Sequence, residues 1–226
     1  DAGATLRARD LLGDYPWGSS LLVAAAALVC YFGPWTSVGG PFLYDDRMVV
    51  TEHPGTAPFS SVVPVFTRDF WGEDLQAATS HKSWRPATTL SYRFGAELHG
   101  RDNTFGFHFC DRLIHAAASA AAHAASLQAG APQDAALVAA LLFAAHPVHV
   151  EVVSNVAGRA ESLCGLIYMA GFAAYAAMGR AGTGRGPRAT VALLATFWAM
   201  TAKEHGVTLP AACGAWEVLV HCRGRE

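Results

Sequence analysis

The chain has 226 residues, of which 52% are hydrophobic and only 15% charged, against about a quarter charged in an ordinary soluble domain. Its net charge of −2 provides no field to gather a nucleic acid or an acidic ligand. The five cysteines, Cys30, Cys110, Cys164, Cys213 and Cys222, are scattered with no CxxC spacing, so neither a disulfide framework nor a zinc site is indicated.

In chain order, residues 1–18 form a polar flank that carries Arg7 and Arg9. The stretch 19–38 follows, almost free of charge. Its apolar run from Leu21 to Phe32 resembles a signal peptide, but no small-residue cleavage site precedes Pro34-Trp35, and it reads as a retained anchor. A long polar segment, 39–105, comes next; its stretch 44–103 holds eight acids and six bases. Five further stretches with little charge complete the chain: 107–128, 135–150, 160–178, 189–202 and 206–220. A membrane helix needs about 20 apolar residues, down to roughly 17. The stretches 19–38, 107–128 and 160–178 meet that requirement, and the other three are short unless they extend into their flanks. The alternative, a soluble bundle of Ala-rich helices, would find little amphipathic surface to turn to water. The chain starts at Asp1 with no Met and its last residues, 221–226, follow an apolar stretch directly, so it reads as a fragment with a short tail.

Lys and Arg in short connections mark the cytoplasmic side of a membrane protein. The N-terminal flank, the 179–188 connection with Arg180, Arg185 and Arg188, and the tail with Arg223 and Arg225 share one side if the chain has six spans. The 39–105 loop, the 146–160 connection and the Lys203-Glu204-His205 turn then share the other. The glycines of 179–188 match no phosphate-binding loop and follow no strand; a flexible turn explains them.

The unusual polar residues gather in those far-side connections. Asp45 and Asp46 are adjacent carboxylates; repulsion or burial can raise one of their pKa values, and a poised carboxylate can take a proton from a hydroxyl nucleophile. A solvated helix cap is the simpler account of the same pair. His81, Lys82 and Arg85 form a cationic group beside Trp84, suited to a phosphate or a sugar, and equally to an interfacial aromatic-basic belt. His146, His149 and Glu151 have partial metal-ligand character, but Pro147 interrupts them and no HExxH pattern exists, so structural polar residues at a span end are favoured. His108, Asp111 and His115, at offsets of three and seven, share one helical face and could form the floor of a site at membrane depth. His123 reads as a packing residue. Lys203 could pair with neighbours or reach a phosphate headgroup.

The order of the motifs is more specific than any one of them. The series F-x-Y-D-D-R-x-V-V, D-F-W-G, S-H-K-S-W-R-P with L-S-Y-R, F-H-F-x-D-x-x-x-H, F-A-A-H-P-V-H-V-E-V-V, G-R-A-E and A-K-E-H-G-V-T, from Phe42 to Thr208, resembles the amino-terminal membrane half of the transmembrane and tetratricopeptide-repeat-containing O-mannosyltransferases, the TMTC family. The resemblance implies an all-α membrane protein: a GT-C-type multi-span helical bundle of about six spans over 19–220, with a long lumenal first loop, 39–105, containing short helices. It implies a multi-pass enzyme of the endoplasmic reticulum that moves mannose from dolichyl-phosphate mannose, with inversion, to Ser or Thr of secretory-pathway proteins, cadherin-like domains among them. The lumen would be the far side of the charge argument.

By the same resemblance Asp45 and Asp46 are the catalytic pair. His81, Arg85, Arg159 and Lys203 are assigned to the donor phosphate on charge and lumenal placement. Trp84, His108, Asp111, His115, His146, His149, Glu151 and Glu204 are expected to line the site. No cofactor and no metal is expected beyond the lipid-linked donor; membrane lipids are expected partners and nucleic acid is not. Another GT-C enzyme with a different acceptor, or a non-enzymatic membrane scaffold, are the competing readings. The sequence departs from the family pattern in three places. Trp84 stands where many relatives have Tyr, Asp111 stands in place of Asn and calls for a cationic partner such as Arg112 or a lumenal basic residue, and no helical repeat of about 34 residues is present.

Overall fold

The computed structural model describes residues 16–32 and 38–221. The flank 1–18 and the tail 221–226 of the expected layout thus lie almost wholly outside the described residues. The described chain is helical, without a strand. Its elements are α1 (Pro16–Tyr31), α2 (Val63–Thr67), α3 (Pro86–His99), α4 (Thr104–Ala129), α5 (Gln133–Ala145), α6 (His149–Ser154), α7 (Arg159–Arg180), α8 (Arg185–Ala202) and α9 (Leu209–Trp216), with short 3-10 or π turns between them. Each of the apolar stretches read from the sequence contains one helix of the bundle.

The helix ends follow local chemistry. Pro86 opens α3, where a missing N–H costs nothing. Asn103 caps α4 by accepting from the Gly106 N–H at 3.1 Å. Gly130, at φ +108°, closes α4: its N–H donates to Leu127 O and the Ala131 N–H to Ser126 O.

α4 is the central helix. It packs on α1 and α5 along one flank and on α7 along the other, and α8 lies against α7. The contacts are made by small residues: Val23 and Ala27 of α1 meet Ala116 of α4 and Ala140 and Ala144 of α5. At the α7–α8 crossing Gly171 has no room for a side chain, because a Cβ there would collide with Ala195. The large apolar side chains point outward instead. On α5, Ala136, Ala140 and Ala144 are buried while Val138 and Leu142 are exposed; on α8, Ala192 and Ala199 are buried while Leu193, Phe197 and Trp198 are exposed. One helical stretch, Val156–Arg180, is long and apolar enough to cross a membrane, at 25 residues; Gly18–Tyr31 and Gln133–Ala145 are shorter apolar helices.

The 39–105 loop is folded onto one end of this bundle. Val49, Val50, Phe70 and Tyr92 form a core with Phe107, Val156 and Ala160. Two arginines tie its backbone together. Arg93 donates to Gly55 O, Ser60 O and Ser61 O and pairs with Glu97 at 2.9 Å. Arg101 donates to Val50 O at 2.8 Å and to His53 O at 2.6 Å.

A fully buried ion pair joins α4 to α7. Arg159 is 1% exposed and Asp111 is fully buried; Arg159 Nε donates to Asp111 Oδ1, and Nη2 donates to Phe107 O at 3.1 Å. The guanidinium also stands 4.7 Å from the Tyr92 ring centroid. Asp111 therefore has a cationic partner, and it comes from α7 and not from the adjacent Arg112, whose Nε instead donates to Tyr31 O. Removing one member of a buried pair strands the other charge, at about 3–5 kcal/mol. Arg159→Met is expected to lose that much stability by detergent-solubilised denaturant unfolding, and Arg159→Met with Asp111→Leu to recover most of it. An Arg159→Met protein as stable as the wild type would show that the pair does not hold α4 to α7.

Candidate functional site

A cavity of about 630 Å³ opens where the loop, the 146–158 connection and the Lys203 turn meet at one end of the bundle. Its walls come from six places in the sequence: Asp45, Phe70, Trp71 and Arg85 of the loop; His115 and Ala118 of α4; Phe143 at the end of α5; Val148, His149, Glu151, Val152, Asn155 and Ala157 of the connection; Glu161, Ser162, Gly165 and Met169 of α7; and Lys203 of the turn after α8. Loop and bundle each contribute both kinds of side chain: Phe70, Trp71, Val148 and Val152 stand beside Asp45 and Arg85, and Ala118, Phe143 and Met169 beside His115 and Glu161.

The acidic pair is split by its surroundings. Asp46 is 2% exposed, whereas Asp45 is exposed and lines the cavity. Both oxygens of the Asp46 carboxylate are bonded to backbone: Oδ1 accepts from the Ala157 N–H at 2.9 Å, and Oδ2 from the Leu43 N–H at 3.3 Å. Burial raises its pKa, against the opposing pull of those two N–H groups and of His108. The pair lies in one helical turn before Arg47–Glu52, and Asp46 makes no side-chain cap bond there. Its bond to Ala157, 111 residues away, docks the loop onto the entry to α7.

The cations of the cavity are held by acids. The Arg85 guanidinium lies 4.6 Å from the Phe70 ring centroid and forks onto Glu204, Nε to Oε1 at 3.0 Å and Nη2 to Oε2 at 2.9 Å. Lys203 Nζ pairs with Glu161 Oε1. The other Glu161 oxygen is 3.7 Å from His205 Nδ1. Burial and the Arg85 charge push the Lys203 ammonium below its ordinary pKa, with Glu204 opposing. Glu204 itself is held low, because the hydrogen bond from Arg85 and the nearby Lys203 outweigh its own desolvation.

Behind the wall, Asp69 organises the segment that carries Trp71 and Arg85. Its Oδ1 accepts from the Trp71 and Glu73 N–H groups, each at 3.0 Å, and its Oδ2 from the Ser80 hydroxyl at 2.7 Å and the His81 N–H at 3.0 Å. Desolvation would raise this carboxyl, but the bonds from Ser80, Glu73, Trp71 and His81 together hold it below the usual range. His53 anchors the same corner: Nδ1 accepts from the Gly55 N–H at 2.9 Å and Nε2 donates to Asp69 O at 2.9 Å, so the ring is neutral.

The residues singled out from the sequence are thus sorted by geometry. Asp45, Arg85, His115, His149, Glu151 and Lys203 line the cavity. Glu204 is exposed beside it on Arg85. The face shared by His108, Asp111 and His115 is divided: His115 reaches the cavity, while His108 and Asp111 are buried below it. Arg159 is buried against Asp111 and is absent from the cavity wall. The His81 side chain is exposed, its backbone N–H being the part that is used. Trp84 is 39% exposed and donates its indole N–H to Phe66 O at 3.1 Å; Trp71 is the tryptophan that lines the cavity. His146 is exposed and accepts from the Val148 N–H. His123 is buried, with Nδ1 2.9 Å from the Ser20 hydroxyl. Glu161 is a wall residue that was passed over, although it closes the G-R-A-E motif; two residues after Arg159, it turns to a different side of α7. No group of three His, Cys, Asp or Glu suited to a metal occurs among the described residues.

A helical bundle whose structured loop covers a cavity with acidic and basic groups in its wall defines a broad class, and sequence comparison narrows it. Protein O-mannosyl-transferase Tmtc3 of Drosophila melanogaster is 33% identical over 88% of this chain and 24% of its own length. Protein O-mannosyl-transferase TMTC4 of Homo sapiens is 33% identical over 91% of this chain and 30% of its own length. Protein O-mannosyl-transferase TMTC1 of Mus musculus is 35% identical over 74% of this chain and 18% of its own length. The chain belongs to the TMTC family. It spans less than a third of the length of these relatives. No family model and no solved structure matches it.

The neutral, buried His53 gives a pH prediction. Desolvation lowers its pKa below 6.5, outweighing the bond and charge of Asp69 that act the other way. A group depressed in the folded state contributes stability above its unfolded pKa and loses it as pH falls through the folded value. Thermal stability is therefore expected to fall as pH drops below about 6.5. His53→Gln should lower stability at pH 7.5 and flatten that part of the profile. An unchanged slope in the variant would assign the acid sensitivity elsewhere.

Proposed function

We propose that this chain forms the catalytic end of a protein O-mannosyltransferase, acting on dolichyl-phosphate mannose and on Ser or Thr hydroxyls of secretory-pathway proteins. The observation that carries the reading is the division of the acidic pair: Asp45 is exposed on a cavity that Arg85 and Lys203 also line, while Asp46 is buried and bonded to backbone.

In this reading Asp45 accepts the proton of the acceptor hydroxyl as its oxygen attacks the anomeric carbon of mannose. The new C–O bond forms as the bond from that carbon to the phosphate oxygen breaks, and its electron pair leaves with dolichyl phosphate. Attack opposite the leaving group inverts the configuration. The departing phosphate gains charge, and fixed cations at that point stabilise it more in the transition state than in the ground state. Arg85 and Lys203 are placed for that role. The step uses no metal cofactor, because side-chain cations meet the leaving group. Asp46 acts as the positioning residue, holding the turn that presents Asp45.

The same proposal includes a multi-pass, GT-C-type arrangement in the endoplasmic reticulum membrane, of about six spans, with the cavity on the lumenal side. The support is the inverted packing of the helices: alanine and glycine face inward, and Val138, Leu142, Leu193, Phe197 and Trp198 face outward, as suits helices solvated by lipid. The charge parity of the short connections supports the same orientation. Cadherin-like acceptors are the family's expectation for the partner protein.

General-base catalysis contributes about 10²–10⁴-fold. In microsomes carrying the full-length protein and labelled dolichyl-phosphate mannose, Asp45→Asn is expected to lose transfer by that factor with the KM for donor little changed. Asp46→Asn, which keeps its size but loses a buried acceptor, is expected to lower stability and to reduce activity through misplacement of the loop. Full transfer by Asp45→Asn would remove Asp45 as the base, and transfer to a lipid or glycan in place of protein would reassign the acceptor.

A further inference from the structure

The two cavity cations are neutralised differently. Glu204 holds Arg85 from outside the cavity wall and is 53% exposed at its side chain, whereas Glu161 is itself part of the wall and occupies Lys203 from within. A carboxylate on a lysine inside a cavity fills the place that an incoming phosphate oxygen would take, since both are compact oxyanions seeking the same ammonium. α7 is fixed at its start by the buried Arg159, so the Glu161 backbone in its first turn keeps a set position while its side chain, 41% exposed, has room to turn. A second resting place is near, as His205 Nδ1 lies 3.7 Å from the other Glu161 oxygen.

We infer that Glu161 is a built-in competitor for the phosphate site: its carboxylate sits on Lys203 when the cavity is empty, is displaced when a phosphate monoester or diester binds, and returns to help expel the phosphate product. This rests on the phosphate-binding reading of the cavity and adds to it a residue that weakens binding. A structural salt bridge would have the opposite signature, since its loss would loosen the site and weaken binding.

The probe is citronellyl phosphate, titrated calorimetrically into the full-length protein in detergent, with citronellol and inorganic phosphate as separate arms for tail and head. A half-exposed ion pair is worth about 0.2–1 kcal/mol, so Glu161→Gln is expected to tighten binding of citronellyl phosphate by roughly 1.4- to 5-fold. Glu161→Ala should shift it in the same direction, which guards against a fold defect peculiar to one variant. Lys203→Gln should weaken binding, and the gain from Glu161→Gln should vanish on the Lys203→Gln background. If Lys203→Gln weakens binding while Glu161→Gln and Glu161→Ala leave it unchanged or weaker, the competitor role is overturned and the phosphate site stands. If Lys203→Gln binds as the wild type does, the phosphate reading of Lys203 fails and the inference fails with it. Equal affinity for citronellol and citronellyl phosphate would likewise overturn both.

Discussion

Arg159 is the group on which the rest of the arrangement depends. A guanidinium buried this completely must have its donors met, and from the start of α7 it meets them on two other helices: Asp111 and the Phe107 carbonyl on α4, and the Ser91 carbonyl on α3. The faces of Tyr92 and Phe107 cover its plane. The position of α7 relative to α4 is therefore set by hydrogen-bond geometry, and α3 brings the loop to the same point. The carboxylate–guanidinium pair is costly to bury and more costly to break, which makes it a device for fixing one arrangement among several that the small-residue helix faces would allow.

Everything at the cavity is reckoned from that fixed start of α7. Two residues upstream, the Ala157 N–H receives Asp46 and so draws the first loop onto the bundle. Two residues downstream, Glu161 meets Lys203 from the turn after α8. The loop reinforces this from its own side, through Asp69 and His53 behind Trp71 and through Arg93 and Arg101 on backbone carbonyls. Such contacts replace the sheet or long helices that the loop lacks. They account for how the long 39–105 loop packs against the bundle instead of forming a mobile excursion.

Helix content and the order of the helices were readable from the sequence because long charge-poor stretches leave few alternatives. The site was readable in part. Asp45, Arg85, Lys203, His115, His149 and Glu151 could be found because polar residues beside apolar stretches stand out. What the sequence could not separate was which polar residues serve the cavity and which serve the fold. Arg159 and Lys203 look equally suitable for a phosphate in a list of cations; burial alone tells them apart, and burial depends on the α4–α7 approach. The same holds for the aromatic residues: Trp84 lies in the more basic motif, yet Trp71 reaches the cavity because Asp69 turns the chain there. Glu161 was hidden by the opposite effect. An acid in a site expected to bind an anion looks misplaced until its partner is seen.

The acidic pair shows most directly how one position can be divided between two roles. Neighbouring residues in a helical turn point about 100° apart, so a single turn sends one carboxylate inward and the other out. Asp46 accepts from two backbone N–H groups, and at 2% exposure it leaves no path for an acceptor hydroxyl. Asp45 has no hold on the fold and faces the cavity. The turn can then be rigid at Asp46 and open at Asp45. That combination suits the proposed role, in which a base on one element must meet a substrate whose phosphate would be held by cations on others.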